Sequence, residues 1–103
     1  MIKAILEVLA DDELRNIFNS IKYRAASSSE ILTRTKVPHT SFYRKINWLV
    51  SEKLAIVESI KQTKDKKKYS MFRAVFDSFE IKFHDDIIIE ANTTINLKEK
   101  NTK

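Results

Sequence analysis

Six polar side chains crowd one short stretch of this chain: His39, Thr40, Ser41, Tyr43, Arg44 and Asn47. Hydroxyl, amide and guanidinium groups of this reach are the donors and acceptors that address base edges and phosphates. Arg44 can pair bidentately with guanine or clamp a phosphate, Asn47 can address adenine, and Tyr43 can donate its hydroxyl to a phosphate. Further along, Lys64, Lys66, Lys67 and Lys68 put four lysines within five residues. Such a cluster can follow a phosphate backbone without reading sequence. A solvated loop is the plainer account of it. Catalytic sets are poorly supplied, because the chain has only two histidines, His39 and His84, no cysteine and no glycine. That removes disulfides, thiolate metal sites and glycine-rich phosphate loops. His84, Asp85, Asp86 and Glu90 form one carboxylate-rich group, which a solvated aspartate turn explains better than an ion site. No enzyme activity, cofactor or metal is expected.

The elements that must position these groups can be traced from apolar spacing. Ile2, Ile5, Leu6 and Leu9 predict a short amphipathic helix. Asp11 or Asp12 then reads as an N-cap for a helix over about Glu13–Tyr23, with Leu14, Ile17, Phe18 and Ile21 on one face. A break at Ala25–Ser28 follows, and Ser28 or Ser29 is placed to cap a third helix carrying Ile31 and Leu32. Val37 should pack under a turn. Pro38 suits the first turn of a fourth helix, which runs to about Glu52 or Lys53 and buries Phe42, Ile46, Leu49 and Val50. His39, Ser41, Tyr43, Arg44 and Asn47 occupy its complementary face, and Trp48 falls on the flank, where packing is the favoured role. Two helices joined this tightly form a helix-turn-helix, whose second helix can enter a DNA major groove.

Beyond it, Ala55–Ile60 reads as a strand, Lys61–Lys68 as a charged turn, and Tyr69–Phe76 as the returning strand, with Tyr69, Met71, Arg73 and Val75 on one side. Phe79, Ile81 and Phe83 alternate, and Ile87-Ile88-Ile89 follows the two aspartates, which predicts a second hairpin.

Charge follows the same division. Residues 34–73 hold eleven Lys/Arg against three Asp/Glu, whereas residues 1–33 hold four against five and residues 74–103 four against six. The whole excess of +5 is therefore concentrated on the fourth helix and the first hairpin, the footprint of a polyanion partner.

The order helix, turn, helix and basic hairpin resembles the winged-helix transcription regulators of the ArsR-like group over roughly residues 10–76. Glu30, Ile31, Thr35, Val37, Pro38, Thr40, Ser41, Phe42, Tyr43, Arg44, Ile46, Leu49 and Leu54 stand in the places of that group's pattern. Lys36 and Lys53 depart from it, standing where the turn glycine and the helix-terminating glycine belong. Many metal-sensing members use cysteine ligands, which this chain lacks.

The resemblance implies an α+β winged helix-turn-helix, with three to four helices, a β-hairpin wing and a second C-terminal β-hairpin. One domain is expected over 1–95, with its core at 10–76, the extra hairpin at 77–95 and a flexible tail at 96–103. The function implied is sequence-specific binding of double-stranded DNA and transcription regulation by promoter occupancy. His39, Thr40, Ser41, Tyr43, Arg44, Asn47, Lys64, Lys66, Lys67 and Lys68 are the expected contacts. A homodimer is expected, with the first helix as its main surface and the second hairpin assisting. No membrane partner is expected, and the placement is cytoplasmic, at the nucleoid. The alternative is a winged-helix protein-interaction module of the transcription machinery.

Overall fold

The computed structural model describes residues 2–93. Four helices come first: α1 (Ile2–Ala10), α2 (Asp12–Ser20), α3 (Ser28–Thr35) and α4 (His39–Ser51). Two antiparallel strand pairs follow, β1 (Ala55–Gln62) with β2 (Lys68–Ala74), and β3 (Phe76–Phe83) with β4 (Ile87–Thr93). The α+β class expected from the sequence is observed. The tail expected over 96–103 lies outside the described residues.

The core gathers one apolar stripe from each helix. Phe42, Ile46 and Leu49 of α4 meet Ile17 and Phe18 of α2 and Ile31 of α3, and all but Phe18 are wholly buried. Side chains of this size each contribute about 1.5–3 kcal/mol on burial. Helix α1 is part of this core, with Ile5 and Val8 buried and Leu9 packed against it. Ile2, Ile5, Leu6 and Leu9 therefore do not form the exposed edge that the first helix would need as the main dimer surface. Ile5 turns inward to cover α2, and only Ile2 of the four is exposed.

Helix ends follow capping chemistry. Asp11 precedes α2 and its Oδ1 accepts from the Leu14 N–H at 2.9 Å. Helix α2 stops at Ser20, short of Tyr23, because the chain turns to join a sheet: the Ile21 carbonyl accepts from the Ala74 N–H at 2.9 Å. Ser27 caps α3, one position before the serines expected there. Its Oγ accepts from the Glu30 N–H, while Glu30 Oε1 accepts from the Ser27 N–H. This is a capping box, and only Ser27 has a glutamate three residues on. Pro38 precedes α4 rather than entering it, and its carbonyl accepts from the Ser41 and Phe42 N–H groups. Val37 is buried under the turn, as expected.

The expected break at Ala25–Ser28 contains a β-bridge. Ala26 and Phe72 exchange both backbone hydrogen bonds, at 2.8 and 2.9 Å, on the edge of β2 that β1 leaves free. Phe72 and Ala74 accordingly face the core, while Tyr69, Met71, Arg73 and Val75 occupy the half-exposed side. The first hairpin runs further than predicted, leaving only Thr63–Lys67 as its tip. The Thr63 N–H donates to the Lys67 carbonyl and the Lys66 N–H to the Thr63 carbonyl.

Without glycine, the chain places lysine wherever the described backbone turns left-handed. Lys36, Lys53 and Lys66 have φ of 59°, 65° and 67°. Lys36 and Lys53 are the two positions where the ArsR-like pattern carries glycine. An L-residue there costs roughly 1 kcal/mol relative to its right-handed conformation. Replacing Lys53 by glycine is therefore expected to raise stability by about 0.5–1 kcal/mol in urea unfolding. An unchanged or lowered midpoint would show that the left-handed lysine carries no cost.

Candidate nucleic-acid interface

Because Phe42, Ile46 and Leu49 point inward, the 3.6-residue helical repeat decides what points outward. Thr40, Arg44 and Asn47 recur at i, i+4 and i+7 and are all exposed. These three form the outer face of α4. The other predicted residues divide between its flanks. His39 and Tyr43 stack loosely on one side, their ring centroids 6.4 Å apart, and Tyr43 sets its ring edge-on to Phe42 at 4.9 Å. That flank looks toward the first hairpin across a groove of about 670 Å³ shared with Ser29, Glu30, Lys61, Tyr69 and Met71. Ser41 lies on the opposite flank and is half-buried. Its hydroxyl donates to the Pro38 carbonyl at 3.2 Å and also interacts with Glu13. Ser41 is thus turned toward α2, away from the outer face.

Lys45, absent from the set of residues predicted from the sequence, is the anchor of α4. Its ammonium lies 2.9 Å from Asp11 Oδ2 and 3.0 Å from Glu13 Oε1, with its side chain mostly covered. The Lys45 hydrogen bond and the Leu14 N–H hold the Asp11 carboxyl below the usual carboxylate range. The Lys45 and Ser41 hydrogen bonds do the same for Glu13. Asp11, with Glu13 second, holds Lys45 above the ordinary lysine value. Nothing local in the sequence marks this contact, which joins residues 34 positions apart. Trp48 packs beside it, lining a pocket with Glu7, Leu14 and Arg44, which agrees with a packing role.

The basic hairpin tip is held by its own backbone. Lys67 N–H donates to Thr63 Oγ1 at 3.1 Å, and Gln62 Nε2 donates to the Lys66 carbonyl at 3.3 Å. Lys64, Lys66, Lys67 and Lys68 are all exposed. Lys61, at the end of the groove and paired across the strands with Tyr69, extends the same basic edge. Its position two residues before the tip, on alternating strand geometry, was the signal that could have included it.

Several cations elsewhere are engaged. Arg15 pairs with Asp12, Arg34 with Glu30, Lys45 with Asp11 and Glu13, and Arg73 with Glu58. Arg73 also donates to the Lys22 carbonyl. Among the described residues, no ion pair engages Arg44, Lys64, Lys66, Lys67 or Lys68. His84, Asp85, Asp86 and Glu90 are not brought together as a metal-binding group. No protein-family model, curated protein or solved structure matches the chain.

The anchor makes stability depend on pH in a definite direction. Asp11 and Glu13 have folded values below their ordinary 3.8 and 4.5, so they stabilise fully above those values and lose that stabilisation as pH falls through the folded ones. Lys45, raised above 10.5, contributes fully below that value and loses its contribution as pH climbs through the folded one. Asp11→Asn keeps an N-cap acceptor and removes only the charge. Unfolding midpoints followed from pH ~7 to ~2 should therefore fall less steeply for Asp11→Asn than for the parent chain. Parallel curves would show that the Asp11–Lys45 pair contributes nothing.

Proposed function

We propose that the chain is a winged helix-turn-helix protein that binds double-stranded DNA sequence-specifically and regulates transcription by occupying promoters. In this reading α3 and α4 are the helix-turn-helix, α4 is the recognition helix, and the β1–β2 hairpin is the wing. The observation that carries it is the distribution of unpaired cations. Among the described residues Lys3, Lys22, Arg24, Lys36, Lys53 and Lys82 are also outside ion pairs but are scattered, whereas Arg44 and the four tip lysines are exposed, unpaired and gathered on α4 and the first hairpin. A surface that leaves its cations unneutralised suits a polyanion partner.

In this reading the roles divide along α4. Thr40, Arg44 and Asn47 face base edges, while His39 and Tyr43, on the flank beside the wing, face the sugar-phosphate backbone. Ser41 serves the fold, through Pro38 and Glu13. No side chain caps the start of α4, which leaves the N–H groups of His39 and Thr40 to address a phosphate. Lysines at the wing tip and Lys61 follow the backbone or the adjacent minor groove. One recognition helix reads only a few base pairs, so two copies are needed for a site of useful length.

Affinity for a site selected from randomised duplexes, compared with random duplex, tests this reading. Arg44→Ala should weaken binding to the selected site by roughly 1–3 kcal/mol and relax preference at one position. If neither affinity changes, α4 is not the reading element. No duplex binding by the parent chain even at low salt would favour the protein-interaction alternative.

Neutralising Lys64, Lys66, Lys67 and Lys68 together should weaken all duplexes alike. The slope of log K against log salt should drop by about 0.9 for each phosphate that is no longer neutralised. A slope equal to the parent's would leave the tip as solvated surface.

A further inference from the structure

The second hairpin has two faces of opposite character. Cross-strand partners share a face, and the register pairs Phe79 with Ala91, Ile81 with Ile89, and Phe83 with Ile87. Those six residues make one wholly apolar face. The intervening pairs, Ser78 with Asn92, Glu80 with Glu90, and Lys82 with Ile88, make the other. The apolar face is covered in part: Phe79 meets Phe18 of α2 at 5.7 Å and Phe76 at 5.6 Å, and Ile89 is half-buried against the core. Toward the tip it opens to solvent, with Ile81 43%, Ile87 38% and Phe83 74% exposed. Two strands alone form at best a marginal structure in water, and an apolar face needs a cover.

Charge narrows what that cover can be. Residues 76–93 hold Asp77, Glu80, Asp85, Asp86 and Glu90 against Lys82. An acidic hairpin is repelled by nucleic acid, so it is no second wing. A second copy meets the requirement, because the apolar face carries no charge and is complementary to itself about a two-fold axis. Face-to-face packing also leaves the carboxylates of Glu80 and Glu90 on the outer surfaces. Edge-to-edge pairing of two β4 strands would instead bring the Glu90 carboxylates of the two copies close together.

We propose that the apolar face of the β3–β4 hairpin is the dimerisation surface, two hairpins packing sheet against sheet about a two-fold axis. The purpose this gives the dimer, presenting two recognition helices, rests on the DNA-binding reading; the surface itself does not. Strands of this length span about 25 Å, and the pair is about 10 Å across, so the contact is smaller than the ~800 Å² per partner of a standard interface. The dimer is therefore a weak one, with a dissociation constant in the micromolar range or above, tightened when both copies sit on one duplex.

Sedimentation equilibrium of the full chain without DNA, up to about 0.5 mM, tests this, together with Phe83→Glu and Ile88→Glu. Both substituted side chains are exposed near the hairpin tip, on opposite faces, and circular dichroism melting checks that each variant stays folded. Ile81→Lys is the second variant should Phe83→Glu fail that check. The expected result is a monomer–dimer equilibrium weakened at least ~10-fold by Phe83→Glu and unaltered by Ile88→Glu. A parent chain that is monomeric throughout, a dimer indifferent to Phe83→Glu, or equal weakening in both variants would each overturn the proposal. A dimer that binds no duplex would instead defeat the DNA-binding reading and leave this surface standing.

Discussion

Phe42, Ile46 and Leu49 are completely buried, and the rest of the molecule is arranged by that fact. A helix with one stripe consumed by the core has no freedom in what it shows outside. Thr40, Arg44 and Asn47 are outward because the three apolar residues are inward. The same stripe gives α2 and α3 something to pack on and closes against Leu54 and Ala55 where the chain leaves α4 for β1. Truncating Phe42 to alanine would remove about 3–5 kcal/mol, a large part of what a domain this small has to spare. The outer face of α4 and the core cannot be altered independently.

A second division, of charge, is laid over this packing. Arg15, which also donates to the Leu9 carbonyl, closes the junction of α1 and α2, and Arg73 ties β2 to the Lys22 carbonyl and to Glu58. Lys45 ties α4 to both carboxylates at the start of α2. Each of these cations has partners within the fold. Arg44 and the tip lysines, outside any ion pair among the described residues, lie on α4 and the first hairpin, while the second hairpin is acidic. The basic middle of the chain suits a polyanion and the acidic second hairpin repels it. On the DNA-binding reading proposed above, fixed opposite fields of this kind would orient an approaching duplex.

Much of this was legible in the sequence. The stripes of α2 and α4, the turn at Lys36–Pro38 and both hairpins follow from apolar periodicity and turn chemistry, which are local signals. The two positions expected to be glycine were also informative, since Lys36 and Lys53 do adopt the left-handed conformation. What was not legible depends on distant contacts. The early end of α2 reflects a hydrogen bond from Ala74 and the Ala26–Phe72 bridge, both to residues far along the chain. Ile5 turns into the core because α2 lies against it, which spacing within α1 alone does not specify. Ser41 and Lys45 sit beside Thr40 and Arg44 in sequence, yet α2 claims both. The Ser27 cap is different, because its glutamate partner at Glu30 stood in the sequence and the capping-box spacing was sufficient to find it.

The short connections give the proposed dimer its mechanical consequence. Only Val75 separates β2 from β3, and its N–H donates to the Leu54 carbonyl, while the neighbouring Ala74 N–H donates to Ile21. The second hairpin is thus tied at its base to α2, through Phe18 and Phe79, and its connection at Val75 is tied to Leu54, just before β1. Helix α4 is in turn held to the start of α2 by Lys45. Between the hairpin face and Arg44 there is no long linker in which a change of angle could be absorbed. If two hairpins pack face to face, the separation of the two outer α4 faces is limited by the single-residue connection at Val75 and by the Phe18–Phe79 contact. On the DNA-binding reading, a two-fold symmetric pair limited in this way would favour half-sites within a narrow range of spacings. Discrimination between operators would then come from half-site spacing as much as from the three side chains on each reading face.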